Sequence, residues 1–204
     1  MRVRVLKKNT LFRFPQMLNK HVFLLKEGFL KIATINHEGK EAIKYLIVPG
    51  ALFGEMSLLY EQESIEDFAV ALEDSVVLFI NAEEMQQIMS VDRDLRTKVH
   101  KQIALRMKKA ESRVFSVQFK DAHSRVCDFI IELVREFGRQ TPHGFEVKNI
   151  LTNDDIAKLT STSRQTVNRI LNEAREKKLI EYNNDLIVVP FSSPLVPKNG
   201  NLDK

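Results

Sequence analysis

Arg164, Gln165, Asn168 and Arg169 stand at i, i+1, i+4 and i+5, which on a helix of 3.6 residues per turn gathers two guanidinium groups and two carboxamides on one flank. Each of these groups forms paired hydrogen bonds along a flat polar edge, the guanidinium as a fork of donors and the carboxamide as a donor beside an acceptor. Base pairs present such edges in the major groove of duplex DNA, where a guanidinium fits guanine and a carboxamide fits adenine. The other flank of the same stretch carries Val167, Ile170 and Leu171, so the polar flank is the outward one.

A solvated helix face would look the same in isolation; the flanking segments separate the two readings. "TNDDIAKLT" has the length of a short helix, with Thr152 and Asp155 placed as a capping box and Ile156 and Leu159 turned toward Val167, Ile170 and Leu171. "STS" is then a turn of three residues whose Ser163 can cap the second helix. "FEVKNI" before this pair and "IEYNNDLIVV" after it are strand-like, the latter turning at Asn183-Asn184. Strand, helix, turn, helix and hairpin is the order of a winged helix-turn-helix, whose second helix enters the major groove. The expected interface is Thr152, Ser163, Arg164, Gln165, Thr166, Asn168, Arg169 and Lys178, with Arg175 and Lys177 also near phosphates.

A polar run, "GRQTPHG", reads as a linker from this region back to a helix that Asp121 caps and that carries Val126, Phe129, Ile130, Leu133, Val134 and Phe137 as far as Gly138. Further upstream Leu95, Val99, Ile103, Met107, Ala110, Val114 and Val117 follow one another at intervals of four or three, a single stripe on one long helix ending at a hinge over Phe119 to Asp121. The stripe can pack on the chain's own β-unit or form a two-stranded dimer seam, and the helix is longer than the β-unit can cover, which favours the seam. From Leu11 to Ala82 short apolar bursts, "HVFLL", "GFLKIATI", "EAIKYLIV" and "SVVLFI", alternate with glycine-bearing and charged turns, as in an all-β roll or barrel.

The expected fold is therefore α+β. A double-stranded β-helix of cupin shape spans residues 1–92, a dimerisation helix and hinge spans 93–120, and a winged helix-turn-helix spans 121–204, with a frayed tail from Ser192. The 44% hydrophobic content of the 204 residues suits a globular protein, and the formal net charge of +4 is compatible with a polyanionic partner without requiring one. A single cysteine, Cys127, rules out a disulfide framework and an all-cysteine metal site within one chain, and points to a reducing, cytoplasmic setting. No stretch has the roughly 20 apolar residues of a membrane span, and no apolar run follows the basic start "MRVRVLKKN" as in a signal peptide.

"LTNDDIAKLTSTSRQTVNRILNEAREKKLIEYNNDLIVV" resembles the winged helix-turn-helix of the Crp/Fnr transcription regulators, and "VPGALFGEMSLLYEQESIEDFAVALEDSVVLFI" resembles the phosphate-binding cassette of their cyclic-nucleotide-type roll. The resemblance implies a homodimeric regulator, not an enzyme, that senses a signal in the roll, binds a two-fold symmetric operator near promoters and works with RNA polymerase. It also implies a ligand site. Cyclic-AMP-binding members meet the ribose with a Gly-Glu pair, here Gly54 and Glu55, and the cyclic phosphate with an Arg-Ser or Arg-Thr pair, where this chain has Ile65 and Glu66. The adenine-contacting Thr-Ser pair of the long helix is replaced by Ala110 and Glu111. With no cation expected nearby to take the place of the lost arginine, cyclic AMP is expected not to be the effector, and a neutral or cationic ligand, or none, fits better.

Other sensor types of the family narrow in the same way. Lone Cys127 excludes an iron–sulfur cluster, while His21, His37, His100, His123 and His143 are scattered without ligand spacing, so no cofactor is expected and heme or a small metabolite is left open. A cupin-type metalloprotein would need closely spaced histidines, and no H-x-H pair exists. A constitutive DNA-binding dimer with a vestigial pocket is the other alternative.

Overall fold

The computed structural model describes residues 1–13, 20–58, 67–183 and 185–196. Two compact units emerge, Met1–Ser112 and a second that begins at Arg113, so the boundary falls inside the long helix rather than at either end of it.

The first unit holds two four-stranded antiparallel sheets. One is ordered β1 (Arg2–Leu6), β8 (Ser75–Asn81), β3 (His21–Glu27), β6 (Leu52–Phe53); the other β2 (Leu11–Arg13), β7 (Asp67–Ala71), β4 (Leu30–Ile35), β5 (Glu41–Ile47). Phe12, Phe23 and Phe53 meet between them, Phe23 stacking on Phe53 at 5.1 Å between ring centroids and meeting Phe12 edge-on at 5.6 Å. Gly28, between β3 and β4, is held at φ +91°, and a Cβ there would come within 2.2 Å of Ser75 Oγ and 2.6 Å of the Asp74 carbonyl, so no other residue fits. The basic N-terminus, ahead of the first apolar burst at Leu11, forms β1, whose residues alternate with period two and pair with β8 from Arg2↔Phe79 to Leu6↔Ser75.

Helix α1 (Ala82–Val91), capped by Asn81, and the start of α2 (Arg93–Phe119) close one side of this unit. Val22, Leu58, Ala82, Met85, Met89 and Val99 form one buried cluster, with Leu95 and Ile103 packed against it. The stripe on α2 is thus divided. Val99 is 1% exposed within its own unit, which corrects its placement in a dimer seam, while Leu95 and Ile103 are half-buried against the same cluster. Met107, Val114 and Val117 are 61%, 59% and 50% exposed, and Ala110 is exposed between them.

The second unit carries α3 (Ala122–Phe137), α4 (Asn153–Thr160), α5 (Arg164–Glu176) and a sheet ordered β11 (Glu181–Tyr182), β12 (Leu186–Pro190), β10 (Gly144–Lys148), β9 (Arg139–Thr141). Asp121 caps α3 by accepting from the Ser124 N–H, a bond that holds its carboxyl below the usual carboxylate range. The run expected to be a linker instead forms β9 and a tight hairpin, with Thr141 Oγ1 donating to the Gly144 carbonyl at 3.1 Å. An edge strand exposed to solvent has no apolar alternation to reveal it. The tail is also more ordered than expected at its start: Ser193 is buried in a turn closed by its N–H on the Pro190 carbonyl, while residues from 197 lie outside the described ones, as does Asn184 at the β11–β12 turn.

Candidate nucleic-acid interface and effector pocket

Helices α4 and α5 are set by their caps. The Thr152 hydroxyl accepts from the Asp155 N–H and the Asp155 carboxylate accepts from the Thr152 N–H at 3.0 Å, completing a capping box, with the hydroxyl also donating to that carboxylate at 2.6 Å, so this residue serves first as a cap and only its exposed edge is left for a phosphate. Ser163 Oγ accepts from the Thr166 N–H at 3.1 Å and exchanges a hydrogen bond with its hydroxyl at 2.9 Å. Ile156, Leu159, Val167, Ile170 and Leu171 are all buried, locking the two helices face to face.

The turn between them is held from outside. Ser161 lies in the left-handed region at φ 52°, and the carbonyls that α4 leaves unsatisfied at this end take guanidinium donors. Arg113 donates to Leu159 O at 2.9 Å, and Arg125 donates to Thr160 O at 2.8 Å, Ser161 O at 2.9 Å and, between α2 and α3, Lys120 O at 2.7 Å. Burial lowers the Arg113 pKa from its ordinary value, opposed by Glu132.

With the scaffold fixed, Arg164, Gln165, Arg169 and Lys178 are exposed, Thr166 is half-buried, and Arg169 is paired with half-buried Glu173 at 2.7 Å. Such an i,i+4 surface pair contributes about 0.3–0.5 kcal/mol and gives way readily to a base edge. Lys178 follows α5 at φ 56° with its side chain in solvent. Asn168 is half-buried like Thr166 and is hydrogen-bonded across to Asn153 on α4.

In the first unit Gly54, at φ 74°, opens a short 3-10 turn over Glu55–Leu58 and delivers Glu55, 6% exposed, beneath α2. There Glu55 Oε1 pairs with the Arg106 guanidinium, which also donates to the Leu52 carbonyl at 2.6 Å and lies 4.3 Å from the centroid of the Tyr45 ring. One turn earlier on the same face Gln102 accepts from the Leu52 N–H at 3.0 Å and donates to the Gly50 carbonyl at 3.3 Å. Burial pushes the Tyr45 hydroxyl well above its ordinary pKa. A cation beside Glu55 was not anticipated from the sequence; the expectation that none replaces the lost arginine concerns Ile65, which lies outside the described residues. Gln102 and Arg106 share the helical face of Val99 and Ile103, and that spacing was the available signal.

The gap bounded by Leu52, Glu55, Val99, Gln102, Ile103 and Arg106 is about 160 Å³ with the solvent at its mouth included and leaves no room for a water-sized sphere, so it is not a formed ligand cavity. Ala110 and Glu111 lie beyond it on α2, exposed, and Ile65 and Glu66 lie outside the described residues. Among the described residues no group of three or more His, Cys, Asp or Glu is placed to hold a metal ion, and no helix is long and apolar enough to cross a membrane.

Residues 2–92 match the family described as cyclic nucleotide-binding domain, and residues 124–190 match the Crp-like helix-turn-helix domain. The chain belongs to the Crp/Fnr family. Among its Crp/Fnr relatives are the global nitrogen regulator of Synechococcus elongatus, 29% identical over 86% of this chain and 80% of that protein, and the cAMP-activated global transcriptional regulator CRP of Salmonella typhimurium, 26% identical over 89% and 86%. The structure of FixK2 from Bradyrhizobium japonicum has the same fold, with a TM-score of 0.79 at 18% identity over 92% of this chain and 91% of that one. The protein is thus a DNA-binding transcription regulator of the Crp/Fnr type, and its relatives are regulators rather than enzymes.

Proposed function

We propose that this Crp/Fnr regulator acts as a homodimer on a two-fold symmetric operator and answers to an effector other than cyclic AMP. The observation that carries the DNA reading is the capped, buried-backed α5 with Arg164, Gln165 and Arg169 exposed along one flank. These three read bases in half-sites about one helical turn apart, while Ser163, Thr166 and Lys178 position the phosphates. In this reading residues 1–92 sense, 93–120 dimerise and hinge, 121–204 bind DNA, and RNA polymerase is the partner at the promoter.

Selection of bound duplexes from random DNA tests it. A palindromic consensus is expected, and Gln165→Glu is expected to move the preference at one symmetric position by roughly 1–3 kcal/mol, because a carboxylate accepts from cytosine whereas a carboxamide pairs with adenine. Lys178→Ala is expected to weaken all sites alike and to lower the salt dependence by about one ion. An unchanged consensus with Gln165→Glu would remove that residue from the base-reading set.

The effector reading is supported by the Arg106–Glu55 pair, since a nucleotide seeking Glu55 through its ribose has to displace a guanidinium already seated there. Calorimetric titration with cyclic AMP and cyclic GMP is expected to show no binding at micromolar concentrations; micromolar affinity for either would sink this reading. The same pair favours a second reading, a constitutive dimer, because the retained Glu55 is satisfied within the chain and needs no ligand. DNA binding by purified protein, with and without cell metabolites, separates the two.

A further inference from the structure

Tyr182 on β11 donates its hydroxyl to Asn153 Oδ1 at 2.5 Å, and Asn153 Nδ2, at the start of α4, donates to Asn168 Oδ1 on α5, also at 2.5 Å. All three side chains are half-buried, and the relay joins wing, first helix and second helix at the flank where Arg164 also lies. A free asparagine offers a donor beside an acceptor and so matches adenine. Here the bond from Asn153 turns the Asn168 oxygen inward and occupies one of its lone pairs, which leaves the amide nitrogen with its two N–H bonds on the outer side.

We propose that Asn153 and Tyr182 are positioning residues that make Asn168 present its amide donors, so that the base facing it is selected for an all-acceptor edge, guanine O6/N7 or thymine O4, over adenine, whose N6 amino donor stands beside N7. This rests on the reading of α5 as the helix that enters the groove. The relay runs in one direction: a phenolic O–H can donate to a carboxamide oxygen, the same carboxamide must then donate from its nitrogen, and the next oxygen accepts. Reversing the middle member reverses what Asn168 shows to the DNA.

The test is bound-site selection with the full chain, followed by titration of duplexes that differ only at the pair assigned to residue 168. That pair is the position whose preference disappears in Asn168→Ala. Asn153→Asp replaces the donor by a group that only accepts; the Asn168 amide is then expected to turn, donate to the introduced carboxylate and present its oxygen. The preference at that one pair is expected to change from an acceptor edge to a donor edge, adenine or cytosine, by roughly fivefold or more. Adding Asn168→Ala to Asn153→Asp is expected to abolish the change. Tyr182→Phe, the milder variant with its ring intact, is expected to reduce the preference at that pair without inverting it, and Asn153→Gln to leave it closer to wild type than Asn153→Ala. Failure of the wild-type chain to select any consensus would overturn the groove reading itself. A consensus that Asn168→Ala leaves intact, or an acceptor-edge preference unmoved by Asn153→Asp in a variant that melts as wild type does, would overturn the relay alone.

Discussion

Arg106→Ala is expected to destabilise the first unit by about 3 kcal/mol, the low end of the range for removing one partner of a buried ion pair, since Arg106 keeps a 23% exposed side chain while that of Glu55 is 8% exposed. Three separate contacts go with the guanidinium: the Glu55 carboxylate, the Leu52 carbonyl and the Tyr45 ring. The largest part of the cost is the carboxylate left behind. Glu55 Oε2 already has no hydrogen-bond partner among the described residues, so losing the bond to Oε1 strands the whole group. The double replacement Arg106→Met with Glu55→Gln is therefore expected to be more stable than Arg106→Ala, although it removes more native contacts. Calorimetric unfolding of the three proteins decides this; if the double variant is the least stable of them, the guanidinium acts by packing and the pair is not the source of the effect.

The second large effect concerns assembly. Met107→Glu together with Val114→Glu is expected to convert the protein to monomers and to weaken operator binding at least tenfold, through loss of the second half-site. Met107, Ala110, Val114 and Val117 recur at intervals of three, four and three, the spacing of a coiled-coil seam, and two added carboxylates would face their own symmetry mates. Ile103 would be a poor choice for this test because it packs on its own roll, where a charge would unfold the domain and mimic dissociation. Sedimentation gives the answer, and a variant that remains dimeric would place the interface elsewhere.

What could be read from the sequence was what depends on neighbours along the chain. Asp121, Thr152 and Ser163 announce helix starts because a cap acts within three residues, and Ile156, Val167 and Ile170 announce a packed pair because helical period is local. Arg106 was illegible because its carboxylate lies 51 residues away, and a basic residue on a long polar helix resembles any other. The stripe from Leu95 to Val117 was visible but not its division, since periodicity records that a face is apolar and not what covers it. Asn153, Asn168 and Tyr182 were hidden for a related reason: three polar side chains on separate elements carry no mark of being joined.

Arg125 reaches from the first turn of α3 to the carbonyl of Lys120 on one side and to those of Thr160 and Ser161 on the other. A single planar cation thus serves the end of the long helix and the corner of the reading motif together. Arg113, on the long helix ahead of Phe119 to Asp121, holds Leu159 O of the same corner, so any rotation at those three residues has to break guanidinium bonds on both sides of the pivot, and the corner keeps its shape only as long as the pivot keeps its angle.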